Sequence, residues 1–185
     1  TTNTAAELNA VRASFALWQG APGTTLRFEE GGMVPAAFTG DEFDGTNVVF
    51  WAKKSTWLPQ YAADISGSTA TTFWATADGV LMGADVVLNG VNYSWFTDIN
   101  AIPANPQCRF VEAIVTHELG HFVGLEHSPM GGSSLFYRDF AGVGPYVGLC
   151  SDDTLGVQWL YPGSGLLASR GALQGRATLR GANAR

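Results

Sequence analysis

Residues 117–127 read His117-Glu118-Leu119-Gly120-His121-Phe122-Val123-Gly124-Leu125-Glu126-His127, and they hold all three histidines of the 185-residue chain. Residues four apart lie about one turn apart on one helix face, so His117 and His121 can turn their imidazoles toward a single ion. Gly124 can take the left-handed conformation that ends a helix and reverses the chain, which brings His127 round as a third nitrogen donor. A third ligand on the same helix would lie too far along its axis. Three neutral imidazoles leave the fourth tetrahedral corner of Zn²⁺ to water, the arrangement of a catalytic site. The ion draws the pKa of that water down toward ~7. Glu118, beside the first ligand but directed to one side, is placed as general base to take the proton and later pass it to a leaving amine. The reaction class that follows is hydrolysis of an amide bond. A bare His-Glu-x-x-His recurs on ordinary helices, where each histidine would be a core imidazole and the glutamate a solvated carboxylate. The added glycine and third histidine at fixed spacing make that reading a poor one.

Composition fits a folded domain around this motif. The chain is 46% hydrophobic and 14% charged, with a net charge of −6. That argues against disorder, and the length suits one domain. No apolar run approaches the ~18 residues of a membrane helix, and the negative charge speaks against a nucleic-acid partner. A monomer acting on a peptide is expected. All sixteen acidic residues lie at or before Asp153, whereas Arg170, Arg176, Arg180 and Arg185 fall after Pro162. Residues 1–162 therefore form the expected domain, and 163–185 a Gly/Ala/Arg-rich tail or linker. The low Lys and Glu content suits a secreted, extracellular protein, with any leader already removed. The two cysteines, Cys108 and Cys150, then form either one disulfide, closing a loop of about 43 residues worth ~4 kcal/mol, or two buried thiols.

The remaining sequence predicts an α+β layout. Thr4-Ala5-Ala6-Glu7 is a capping box ahead of a helix with Leu8, Val11, Phe15 and Trp18 at helical spacing. Alternation at 25–30 predicts a strand, and further strands follow at 47–52, 69–76 and 79–88. Residues 91–96 are expected to pair back onto the last of these through Asn89-Gly90. A second helix is expected from Arg109 to about Val123. A third starts at Ser151, with Asp152 and Asp153 at the positive end of its dipole.

With the motif in place, the sequence resembles the metzincin zinc endopeptidases, and more narrowly the matrixin (matrix metalloproteinase) catalytic domain, over most of residues 4–162. The helix 5–19 followed by Thr25-Leu26-Arg27-Phe28 is similar to the family's first helix and strand. Asp152-Asp153-Thr154-Leu155-Gly156-Val157-Gln158-Trp159-Leu160-Tyr161 is similar to its closing helix. The resemblance implies a zincin fold: a mixed twisted sheet, an active-site helix, and helices at both ends. It also implies one catalytic zinc and protein or peptide substrates. By it, Gly83, Ala84, Asp85 and Val86 would belong to the edge strand along which substrate adds, and Cys108 would pair with Cys150.

Several features depart from the family pattern. The methionine beneath the zinc is replaced, with Leu135 at its position and Met130 as the alternative floor; the swap should cost under ~1.5 kcal/mol. Tyr137, two residues on, matches a zinc-binding tyrosine of other branches, but with Leu135 and Phe136 it is expected to line the specificity pocket. Histidines for a second, structural zinc are missing, while structural Ca²⁺ remains open. The strand before the first helix and the family's inhibitory cysteine motif are not in this chain. The alternatives to an endopeptidase are a zinc amidase on small or cell-wall peptides, or a catalytically silent metal-bearing binding module.

Overall fold

The computed structural model describes residues 4–35, 38, 40–41, 44–137, 147–166 and 171. The first helix, α1 (Ala5–Gln19), begins as the capping box predicts, with Glu7 N donating to the Thr4 hydroxyl at 3.2 Å and Thr4 N donating to the Glu7 carboxylate at 2.8 Å. Its buried face is Ala10, Val11, Ser14 and Trp18, with Phe15 at the margin. This face lies on the second helix, α2 (Val111–Phe122). Trp18 is fully buried, and its indole N–H donates to the Thr116 carbonyl at 2.8 Å. Ser14 Oγ reaches the Glu112 carbonyl at 3.1 Å. The two polar side chains that α1 buries here thus each find a main-chain partner on α2.

Between the two helices run β1 (Val49–Ala52), β2 (Trp57–Leu58), β3 (Ala63–Asp64), β4 (Ala70–Ala77), β5 (Val80–Asn89), β6 (Ser94–Phe96) and β7 (Cys108–Phe110). The third helix, α3 (Ser151–Leu160), follows α2. The main sheet has the order β1-β5-β4: β1 runs parallel to β5 with Val49 opposite Val86, and β4 runs antiparallel to it with Thr72 opposite Val86. Alternation along β5 serves two cores. Val86 and Leu88 join α1 and α2, while Val87 points to the other face with Ala52, Leu58 and Ile65. A strand covered on both faces reads as a continuous apolar run.

Three expectations about strands are corrected. Residues 25–30 are extended but form no ladder. Thr25 N donates to the Tyr161 carbonyl and Phe28 N to the Gln19 side chain, and Phe28 packs edge-on against Phe15 and Phe122. Residues 91–96 do not fold back on β5, because β1 and β4 already occupy both its sides; β6 pairs parallel to β7 instead. The Asn89 side chain fixes that departure by donating to the Ile65 and Ser68 carbonyls and accepting from Val91 N and Asn92 N. Gly83, Ala84, Asp85 and Val86 are not the edge beside α2. β4 covers them on one side, and on the other Val86 pairs with Val49 while Ala84 N donates to the Asn47 side chain; the last three are at most 2% exposed. The edge beside α2 among the described residues is β4. No helix among them is long and apolar enough to cross a membrane.

Most of the 163–185 tail lies outside the described residues. Its start is anchored, with Gly163 N donating to the Gly23 carbonyl at 2.9 Å.

Candidate metal centre

The helix α2 carries His117, Glu118 and His121, and its end is built as the spacing requires. Gly124 adopts φ 93°, and Leu125 N donates to the Gly120 carbonyl at 2.9 Å. The reversal brings His127 back over the other two rings. His117 Nε2 lies 3.2 Å from both His121 Nε2 and His127 Nε2. Donors at 2.0–2.1 Å from a tetrahedral zinc are about 3.3–3.4 Å apart, so the spacing is that of three corners around one ion.

The proton positions agree. His117 Nδ1 is 2.8 Å from the Ser134 carbonyl, and His121 Nδ1 is 2.8 Å from the Leu125 carbonyl. A carbonyl only accepts, so each Nδ1 carries the hydrogen and each Nε2 keeps its lone pair. Two lone pairs facing each other at 3.2 Å repel unless a cation lies between them. Burial also holds the His121 pKa below the ordinary imidazole value, which favours the neutral, ligating form. The donor set therefore fits zinc. His117, His121 and His127 are the group of three or more candidate ligands that the described residues bring together.

Leu135, the expected floor, is buried, and a Cβ on Gly120 would stand 2.5 Å from its Cδ2, so α2 and Leu135 approach as closely as glycine allows. Met130 is 57% exposed. The loop bearing Leu135 hangs from Asp153, in the first turn of α3. The buried Asp153 carboxylate accepts from Ser133 Oγ, from Ser134 N at 2.9 Å and from Cys150 N at 2.9 Å. Next to it, Asp152 accepts from Ser128 Oγ at 2.5 Å. Sequence reading assigned these two acids only to the helix dipole. Their grip on the metal loop depends on a contact twenty residues away, which spacing does not reveal.

A cleft of about 470 Å³ lies between α2 and the β4 edge. Thr69–Thr72 and Trp74 line one side, the three histidines and Glu118 the other, and Phe136 and Tyr137 its end. Of the residues expected to meet substrate, Phe136 and Tyr137 line this cleft, and Leu135 and Gly83–Val86 do not. Thr72 and Trp74 had no signal in the sequence beyond β-propensity.

Glu118 is buried against β4, where Thr72 Oγ1 donates to its Oε2 at 2.6 Å. Burial pushes its pKa up to about 7, against the opposing pull of that hydrogen bond. In metal-free protein the native carboxyl keeps its proton at pH values where the unfolded chain, ionising near 4.5, has lost it. A raised carboxyl pKa makes stability fall as pH rises, here between about 4.5 and 7. Chelated wild type should therefore lose up to ~3 kcal/mol relative to Glu118→Gln across that window. Urea melts of both at pH 4.5 and pH 8 check this, and an unchanged difference would show a solvated carboxyl.

The disulfide is corrected. Both cysteines are free: Cys108 is buried in β7, and Cys150 caps α3, its N–H held by Asp153.

No curated protein matches the chain. The family model of the peptidases described as Matrixin matches residues 2–162, which spans α1, the sheet, the histidine cluster and α3. With three imidazole nitrogens converging on one point, a buried glutamate beside them and a cleft along a strand edge, the chain belongs to the matrixin family of zinc metalloendopeptidases.

Proposed function

We propose that this protein is a secreted zinc endopeptidase that cuts peptide bonds within extended segments of other proteins, with Glu118 as the general base. The observation that carries the reading is the convergence of the His117, His121 and His127 Nε2 atoms beside a desolvated Glu118. These imidazoles would hold zinc, which when bound supplies Lewis acidity toward water and carbonyl oxygen.

The chain's own groups do the rest. The Ser134 and Leu125 carbonyls fix the ring orientations of His117 and His121. Glu118, with a pKa near neutrality, is suited both to take a proton from the attacking water and to give it to the departing amine. An extended peptide would lie along the β4 edge at Thr69–Trp74, adding a strand where main-chain groups face the cleft. Phe136 and Tyr137 would meet the side chain after the scissile bond. A cleft open along a strand edge suits a long substrate better than the small peptide of an amidase. The 163–185 segment follows this domain as a linker or arm, and the domain acts as a monomer.

Incubation of the purified protein with casein, with and without 1,10-phenanthroline, tests the proposal when zinc and calcium are measured on the same sample. Internal cleavage that stops with the chelator and returns with zinc, at about one zinc per chain, is the expected result. Cleavage indifferent to the chelator, or zinc bound with no cleavage of casein or of short peptides, would reject it.

A further inference from the structure

Glu118 is buried at the end of a helix turn whose other side chains serve the metal, and its carboxylate could swing between rotamers unless something outside α2 holds it. Thr72 is that contact. Its Oγ1 lies 2.6 Å from Glu118 Oε2 and 3.0 Å from the Glu118 main-chain oxygen, so one hydroxyl touches both ends of the residue. Thr72 is itself fixed by its register opposite Val86, which is fully buried in the sheet. The strand whose edge borders the cleft therefore grips the glutamate directly.

We infer that Thr72 is a positioning residue, whose hydroxyl holds the Glu118 carboxylate in its working orientation and ties that orientation to the β4 edge. The inference rests on the reading of Glu118 as the base. One hydroxyl within hydrogen-bond distance of both the carboxylate and the Glu118 carbonyl limits rotation of the side chain between them. Valine at this position would keep the shape and the β-propensity, and would remove only the hydroxyl.

Two measurements test this. In the zinc-loaded enzyme acting on casein, Thr72→Val should lower kcat about tenfold, with KM and zinc content within twofold of wild type. Thr72→Ser should recover kcat to within threefold of wild type. A Thr72→Val enzyme with wild-type kcat would overturn the inference, as would a Thr72→Ser enzyme no better than Thr72→Val. The second measurement needs no activity: a double-mutant cycle of Thr72→Val and Glu118→Ala on chelated protein, read as the unfolding equilibrium constant. A coupling of at least fivefold is expected, and one below twofold would overturn the contact. If wild type failed to cut casein while the coupling persisted, the assigned activity would fall and the Thr72–Glu118 contact would stand.

Discussion

Glu118→Gln should lower proteolysis by roughly 10²–10⁴-fold in kcat while zinc still binds at one per chain. Glutamine matches glutamate in size and keeps an oxygen to accept from Thr72, so the packing against β4 survives. What it loses is the ability to take a proton. None of the metal-holding contacts passes through the Glu118 carboxylate: the histidine nitrogens are set by the Ser134 and Leu125 carbonyls. Substrate would still lie along β4, so KM should change little, the pattern expected when a group acts only in the transition state. The variant also loses a buried carboxyl that is costly to ionise, so at pH 8 the metal-free form should be at least as stable as wild type. Kinetics with metal analysis decide the matter. A Glu118→Gln enzyme within tenfold of wild type would mean that another group moves the proton.

Asp153→Ala should be the most damaging change made away from the histidines. The carboxylate is 2% exposed and serves three donors, Ser133 Oγ, Ser134 N and Cys150 N. Alanine leaves all three near a small void with little access to water. Each stranded donor costs ~1–3 kcal/mol, and a total of about 3–5 kcal/mol is expected, a fall in Tm on the order of 10 °C for a domain of this size. Asp153→Asn should cost less, since its amide oxygen can still accept, although its NH₂ would face N–H groups. The damage should also reach the metal. Ser134 accepts from His117 through its carbonyl while its N–H is held by Asp153, so one residue links the buried acid to the first ligand. Loss of such an outer contact commonly weakens metal binding 10–100-fold. Thermal melts and zinc competition against a chelator measure both effects. A melting temperature within 3 °C of wild type would show that packing of Leu135, not Asp153, supports the loop.

The first of these effects was open to sequence reading and the second was not. Glu118 sits inside a motif whose spacing is a local property: four residues make one helical turn, and one glycine makes the reversal that returns His127. The capping box at Thr4 and Glu7 is legible for the same reason, since its partners are three residues apart. Asp153 reaches the loop across twenty residues, and its sequence context shows only an acid in a first helical turn. Thr72 is one of several threonines in a β-branched run, with nothing to mark it from Thr71.

The amino-acid order by itself determined the histidine cluster, the glutamate beside it, the bounding helices and the α+β class, because each rests on spacings within a turn or two of chain. Only the tertiary structure decided which strand is the edge. Residues 83–86 and 70–77 both have strand composition, and what separates them is that β4 pairs along 83–86 on one side and faces the cleft on the other. Tertiary contacts also buried Leu135 while leaving Met130 exposed, left Cys108 and Cys150 unbonded to each other, and set Thr72 against Glu118. Pairing and packing partners are chosen by long-range burial and hydrogen-bond satisfaction, which no local pattern of residue types encodes.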